Sequence, residues 1–144
     1  MRIVLDTNVV VSAFINPSGP PSQIMKMVLS RKVEYSTIAK GDPSITLFYN
    51  SAILSEYESV MLRPKFRGKI NPNIIQKFID LIRSIGASYM PLPGKIKLSD
   101  ESDKIFYDTA VGSSSILVSG NIKHFPKEQF IMLPADFLRR FRKL

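Results

Sequence analysis

The sequence predicts an α/β fold, in which helices cover both faces of a parallel β-sheet. The first observation is that several predicted strands are short and apolar throughout, as at 2–6 and 116–118. Strands have this composition when neither face of the sheet meets water. The second observation is that these strands alternate with helical segments such as 72–85. Alternation of strands and helices is the pattern of a parallel sheet.

Turn and capping residues divide the chain into predicted elements. Asn71-Pro72 is a helix start, because Asn caps the first turn and Pro is tolerated at the first helical position. Gly86 ends the same helix. The turn at 40–43 predicts a hairpin over 33–49. The predicted strands are 2–6, 33–38, 45–49, 87–90, 116–118 and 130–133, and the predicted helices are 22–32, 51–62, 72–85, 103–113 and 135–141.

The composition predicts one globular domain over 1–144. The chain has 144 residues, of which 44% are hydrophobic, and this length is enough to bury a sizeable core. It contains no cysteine, so any metal ion must be held by oxygen ligands or by His124. No apolar run is long enough to span a membrane, and the N-terminal run is too short for a signal peptide. We therefore expect a soluble, cytoplasmic protein.

The net charge of +8 has two possible explanations. Much of it lies in the segments 63–69 and 139–143, where basic residues alternate with aromatic ones. This arrangement suits the phosphate backbone of a nucleic acid, but the same charges can simply keep a surface soluble. On the first interpretation, the residues that we assign to RNA binding are Arg63, Lys65, Arg67 and Lys69.

Polar residues follow two of the predicted strands. Asp6 ends the strand at 2–6, and Ser119-Gly120-Asn121 follows the strand at 116–118. In a parallel sheet the functional crevice lies beyond the carboxyl ends of the strands, so these residues mark the place of a site. Asp6 alone could equally be the cap of a following helix.

Two further carboxylates are candidates for the same site. Glu56 lies at the edge of the apolar stripe of its helix, where a carboxylate is costly unless a cation pairs with it. A salt bridge at the rim of the core is the alternative. Asp103 shares a helix face with Tyr107 and Ala110, although acidic residues at a helix start also favour the helix dipole. Asp108 lies about 140° away from Asp103 on an ideal helix, and we expect it to be paired structurally.

Three carboxylates at one edge of a sheet would repel one another without a cation. Mg²⁺ or Mn²⁺ takes oxygen ligands and activates water for in-line attack on a phosphodiester. Such an enzyme needs no cysteine nucleophile. A glycine-rich phosphate loop is absent from the sequence, which disfavours a nucleotide-binding enzyme. The acidic residues therefore favour a metal-dependent hydrolase.

Five blocks of sequence occur in an order that is specific when they are taken together. They are 3–14, 53–66, 103–110, 116–121 and 124–126, and they cover nearly the whole chain. In this order they resemble the PIN-domain family, and within it the branch of VapC-like toxins of toxin–antitoxin pairs. The resemblance implies a three-layer α/β/α sandwich around a parallel sheet of about five strands. It also implies a divalent-metal-dependent endoribonuclease acting on single-stranded RNA.

The resemblance also assigns roles to individual residues. Asp6, Glu56 and Asp103 match the metal-binding carboxylates of the family, and Ser119 matches a position that helps to arrange the site. Asn121 stands where many members have a fourth aspartate, and an amide carries no charge, so we expect weaker metal binding. The predicted catalytic residues are Asp6, Glu56, Asp103 and Asn121, of which the first three bind Mg²⁺ or Mn²⁺, and the supporting residues are Ser119, Asn8 and Thr7.

The leading hypothesis is a toxin ribonuclease with a cognate antitoxin as partner, forming a homodimer. The alternative is a non-catalytic RNA- or protein-binding module, which Asn121 favours. A phosphatase of the haloacid-dehalogenase type is disfavoured, because Asn8 occupies the place of its second aspartate. His124 is more simply explained as a structural residue than as a general base. The stretch 33–49 is longer than the usual link in the family, and we expect it to be a peripheral insertion.

Overall fold

The computed structural model describes residues 1–30 and 45–141. The predicted strand at 33–38 lies outside the described residues, as does the first part of the predicted hairpin. The predicted role of 33–49 as a peripheral insertion therefore stays a prediction. Within the described residues, no helix is both long enough and apolar enough to cross a membrane.

The sheet has five strands in the described part of the chain, and all of them are parallel. Their order across the sheet is β3-β2-β1-β4-β5, which places β1 at the centre. Leu5 of β1 pairs with Val118 of β4, so the two strands end at the same level. The strands are β1 Arg2–Leu5, β2 Thr46–Tyr49, β3 Ala87–Ser88, β4 Ile116–Val118 and β5 Ile131–Met132.

The helices of the described residues confirm most of the predicted elements. The structure corrects the helix predicted at 22–32, which begins at Pro20 because two prolines occupy its first turn. It also adds a helix where the sequence indicated only an apolar run, since Asp6 caps residues 7–15. The helices are α1 Thr7–Ile15, α2 Pro20–Leu29, α3 Ser51–Met61, α4 Pro72–Ile85, α5 Lys104–Ser113 and α6 Pro134–Phe141, and 3-10 helices span Pro64–Phe66, Glu101–Asp103 and Ile122–His124.

The core lies on the sheet and uses the apolar face of each neighbouring helix. The three apolar residues Ile3, Val4 and Leu5 of β1 are fully buried, as expected for a central strand. The apolar face of α4 buries Ile75, Phe78, Ile79 and Ile82. That face therefore belongs to the core of the chain itself. The α/β fold with a parallel sheet of five strands is confirmed.

Candidate active site

Asp6 lies at the carboxyl end of the central strand and is only 4% exposed. Its Oδ1 accepts a hydrogen bond of 2.8 Å from the amide of Thr7, so Asp6 caps α1 as the local sequence allows. Its Oδ2 accepts from the hydroxyl of Ser119 at 2.6 Å and from the side-chain amide of Asn8 at 3.2 Å. Capping and a fixed functional carboxylate are therefore compatible in this residue.

The loops after β1 and β4 are joined by side-chain hydrogen bonds. The side-chain oxygen of Asn8 accepts from the amide of Gly120 at 2.8 Å, and the hydroxyl of Ser119 accepts from the amide of Asn121 at 3.0 Å. A Cβ at Gly120 would lie 3.1 Å from the same oxygen of Asn8. The approach of the two loops is thus as close as a glycine permits. The structure places the predicted supporting residues Asn8 and Ser119 around Asp6.

The pKa of Asp6 is raised above its ordinary value of 3.8 because the carboxyl is buried. The hydrogen bonds from Ser119, Thr7 and Asn8 and the charge of His124 oppose this shift without cancelling it. Burial disfavours a carboxylate, whereas donors and cations favour it. The surroundings of Asp6 therefore fix the orientation of its carboxyl but still disfavour its charged form, which a nearby cation would stabilise.

Asp103 ends the 3-10 helix before α5 and lies close enough to Asp6 for the two charges to interact. Burial, and then the charges of Asp6 and Asp100, raise the pKa of the Asp103 carboxyl. Nδ1 of His124 lies 3.2 Å from Oδ2 of Asp103. The charge of His124 and its contact with the Asp103 carboxyl lower the pKa and oppose that shift in part. Oδ2 is buried, faces His124 and makes no hydrogen bond of good geometry within the described residues.

Glu56 is half-buried on α3, as its place on the helical wheel predicts. Within residues 1–30 and 45–141 it makes no ion pair. The same residues contain no group of three or more His, Asp or Glu side chains arranged to hold a metal ion. The charge of Asp6 acts on Asp103, and the metal-binding roles of Asp6, Glu56 and Asp103 all stay predictions.

The remaining predicted residues lie around this pair or away from it. Thr7 is buried, and its hydroxyl oxygen has no hydrogen-bond partner in the part of the chain that the structure describes. Asn121 is exposed at the start of the 3-10 helix that contains His124. The four basic residues predicted to bind RNA are all exposed in the segment after α3, namely Arg63, Lys65, Arg67 and Lys69.

Tyr57 makes a buried contact with the strand that leads to Asp6, and the helical pattern of the sequence did not predict this contact. It is fully buried, and its hydroxyl donates a hydrogen bond of 2.5 Å to the carbonyl of Leu5, the residue before Asp6. Burial and the charge of Asp6 raise the pKa of Tyr57, so the hydroxyl stays protonated and remains a donor. A tyrosine in a buried helical stripe needs a hydrogen-bond partner. This requirement is the feature of the sequence that could have indicated the contact.

We expect Tyr57→Phe to lower the free energy of unfolding by about 1–3 kcal/mol, because the carbonyl of Leu5 loses a buried partner. Chemical denaturation of the metal-free protein measures this change. Tyr107→Phe is the control, since Tyr107 is only half-buried. Equal stability of the Tyr57 variant and the wild type would show that the hydrogen bond does not support β1.

Asp108 faces away from Asp103 and contacts another part of the chain, as the angle between the two residues on a helix predicts. Its Oδ2 lies 2.7 Å from the ammonium of Lys104 and accepts a hydrogen bond of 3.1 Å from the amide of Gly94. Lys104 also donates to the carbonyl of Gly94 at 2.8 Å. The pair therefore fastens the loop before α5 to the helix itself and is not part of the acidic site.

The family model for the PIN domain matches residues 2–123 of the chain. The chain belongs to the PIN domain family. The chain is also similar to the uncharacterized protein MJ1680 of Methanocaldococcus jannaschii. The two are 30% identical over 122 residues, which is 84% of this chain and 71% of the archaeal protein.

Two solved structures are similar to this PIN domain in fold. The first is VapBC2 from Rickettsia felis bound to a DNA fragment from its promoter, with a TM-score of 0.53, 19% identity, and coverage of 92% of this chain and 97% of that one. The second is VapBC-1 from nontypeable Haemophilus influenzae, with a TM-score of 0.50, 16% identity, and coverage of 87% and 90%. At these identities the likeness supports the fold alone.

The residues of this PIN domain fit a hard divalent cation. Magnesium is commonly bound through one or two carboxylates and keeps several waters. Asp6 and Asp103 supply two carboxylates, one of which has a buried oxygen without a hydrogen bond. Their mutual repulsion and burial would be relieved by a cation between them. The chemistry of the two carboxylates is therefore compatible with a divalent cation, although the described residues contain no group of three or more His, Asp or Glu side chains that could hold one.

Proposed function

We propose that this PIN domain is a divalent-metal-dependent endoribonuclease that cuts single-stranded RNA in the cytoplasm. The observation that supports this most is the Asp6–Asp103 pair at the carboxyl end of the central strand. Both carboxyls have raised pKa values through burial, and the charge of Asp6 contributes to the shift at Asp103. The helix dipole alone would favour Asp103 at the start of α5, but its burial and the charge of Asp6 oppose the charged form, and a bound cation would relieve that cost.

Asp6 and Asp103 would hold Mg²⁺ or Mn²⁺, and Glu56 and Asn121 would complete the surroundings. When bound, such an ion stabilises the charge of the phosphodiester and lowers the pKa of an attacking water. Ser119, Thr7 and Asn8 hold the carboxylate of Asp6 in one orientation through three hydrogen bonds. His124 faces Asp103 and is half-exposed, so its ring lies where a phosphate bound at the pair could contact it.

We further propose that the protein is the toxin of a toxin–antitoxin pair, with a small antitoxin protein as its partner and a homodimer as its working form. The resemblance to VapC-like toxins and the two VapBC structures of similar fold support this. Expression of the chain alone should slow bacterial growth, and expression with the product of an adjacent small gene should restore it. Normal growth during expression of active enzyme would contradict the toxin role.

The ribonuclease proposal is tested by cutting a fluorescently labelled single-stranded RNA with Mg²⁺, with Mn²⁺ and with chelator. The wild type should cut only with a divalent ion, and the variant with Asp6→Asn and Asp103→Asn should not cut. The control has Asp80→Asn and Asp136→Asn, which remove the same charge at exposed carboxylates. Cutting by the first double variant at the wild-type rate would indicate another site or a contaminating nuclease.

A matched pair of variants on α3 tests the predicted role of Glu56. We expect Glu56→Gln to reduce the cutting rate and Glu58→Gln to leave it unchanged. The two variants are matched because each removes one negative charge from α3. Initial rates over a series of Mg²⁺ concentrations separate weaker metal binding from slower turnover. Equal rates for the two variants would remove Glu56 from the site.

The second candidate is a non-catalytic RNA-binding PIN module. Asn121, which carries no charge, and the absence of a group of three acidic side chains among the described residues favour it. RNA binding without cutting under either ion, unaffected by Asp6→Asn, would support this candidate over the enzyme.

A further inference from the structure

A groove lies on the flank of the edge strand β5, outside the acidic pair. Its volume is about 430 Å³, which is within the range of about 300–1,000 Å³ for sites that bind small molecules. Ile122, Phe125 and Ile131 form an apolar part of its lining. The groove is thus large enough for one base, and Ile122 offers most of the exposed apolar surface, since Phe125 and Ile131 are buried.

The groove also contains charged side chains that are available to a ligand. Lys123, Lys127 and Glu128 contribute to its lining. Within the described residues neither lysine is in an ion pair or a side-chain hydrogen bond. Two ammonium groups without partners, beside apolar surface, complement a phosphate and the base attached to it.

One short element connects this groove to the acidic pair. Ile122 and Lys123 line the groove, and the next residue, His124, contacts Asp103 at 3.2 Å. All three belong to the 3-10 helix Ile122–His124, which follows the loop containing Ser119. The residue that contacts Asp103 and two residues that line the groove are therefore consecutive in one short helix, which makes the groove a candidate position for a neighbouring nucleotide.

We propose, on the basis of the ribonuclease function proposed above, that this groove is a subsite for one nucleotide of single-stranded RNA. The base packs on Ile122 and Ile131, and the flanking phosphates pair with Lys123 and Lys127. Glu128, which lines the same groove, accepts a hydrogen bond from an exocyclic amino group of the base. Cytosine carries an exocyclic amino group at its C4 position, whereas uracil carries a carbonyl oxygen there.

The first test is the salt dependence of RNA binding by the full chain, measured in chelator so that the RNA is not cut. Each phosphate neutralised on a single strand contributes about 0.7 to the slope of log affinity against log salt. The variant with Lys123→Ala and Lys127→Ala should lower this slope by about 1.4 and the affinity roughly tenfold at low salt. The control with Lys26→Ala and Lys77→Ala loses the same charge on α2 and α4 and should keep the wild-type slope.

The second test concerns the base. The wild type should bind oligocytidylate more tightly than oligouridylate by about 2- to 10-fold, the effect of one hydrogen bond, and Glu128→Ala should remove this preference. Unchanged slope and affinity in the lysine variant would overturn the proposal. A second result would also overturn it: the wild type binds an acidic peptide, the lysine variant does not, and the two bind RNA equally. The groove would then serve a protein partner.

The two proposals fail in different ways. If the wild type binds RNA through the groove but never cuts it, the ribonuclease function is wrong and the groove assignment stands. If the wild type cuts RNA, and the lysine variant binds and cuts like the wild type, the groove assignment is wrong and the enzyme stands.

Discussion

Asp103→Asn is expected to abolish RNA cutting and, in the same protein, to raise the thermal stability of the metal-free form. The loss of activity follows because one of the two carboxylates at the proposed metal site becomes a neutral amide. Replacing a residue that only supports a metal ligand lowers affinity or activity by about 10- to 100-fold, so loss of a ligand should exceed about 100-fold. Initial rates on labelled RNA measure this, with Asp80→Asn as the control.

The gain in stability follows from the direction of the pKa shift. Burial and the charges of Asp6 and Asp100 raise the folded-state pKa of Asp103 above 3.8. The folded state therefore disfavours the charged form, and at neutral pH that charge lowers stability. Asparagine removes the charge, so the melting temperature of the variant in chelator should exceed that of the wild type.

The raised pKa of Asp103 also determines how the stability difference between Asp103→Asn and the wild type changes with pH. As the pH falls through the raised pKa towards 3.8, the wild-type carboxyl becomes protonated and its disadvantage disappears. The stability gap between variant and wild type should be largest near neutral pH and should close in this acidic range. Excess Mg²⁺ should also stabilise the wild type and not the variant, because ligand binding stabilises only the state that binds. A variant less stable than the wild type in chelator at neutral pH would contradict this explanation.

Ser119→Ala is expected to lower the activity or the Mg²⁺ affinity by about 10- to 100-fold, the range for residues that orient a metal ligand. Ser119 is fully buried, donates at 2.6 Å to Asp6 and accepts at 3.0 Å from Asn121. Without the Ser119 hydroxyl, Asp6 loses its shortest side-chain hydrogen bond and the amide of Asn121 loses its acceptor, while the bond of Gly120 to Asn8 still holds the loop after β4. Cutting rates at several Mg²⁺ concentrations would show the loss.

Ser113→Ala is the matched control for this variant. Ser113 is also a buried serine, but its hydroxyl bonds to Thr109 and Ser115, away from Asp6. Both variants should lose some stability, whereas only Ser119→Ala should lose activity. A similar loss of activity in both would mean that the effect of Ser119 is general destabilisation.

The edge of the sheet that holds the site could be predicted from the sequence. Asp6 and Ser119 each follow a short apolar strand, and parallel strands of one sheet end at the same edge. That β1 and β4 are direct neighbours could not be predicted, because strand order depends on how the intervening helices pack. The 2.6 Å contact between Asp6 and Ser119 depends on that order.

The angles between residues on a helical wheel correctly predicted which way side chains face. They could not predict the distances between side chains on different elements. The angle between Asp103 and Asp108 correctly separates them, since one faces His124 and the other Lys104 and Gly94. The wheel also places Glu56 correctly as a half-buried residue. It cannot give the separation of Glu56 from Asp6, because that depends on how α3 lies against the sheet. The hydrogen bond of Tyr57 to Leu5 escaped prediction for the same reason.

The two partners in the hydrogen bond between Ser119 and Asp6 are 113 positions apart in the chain. During synthesis at about 5–20 residues per second, Asp6 therefore waits on the order of 6 to 20 seconds before Ser119 is made. Until then β4 cannot pair with β1, and the carboxylate lacks the neighbour that orients it. In an unfinished chain on the ribosome the arrangement around Asp6 is therefore incomplete, and it forms only after β4 and Ser119 have been made.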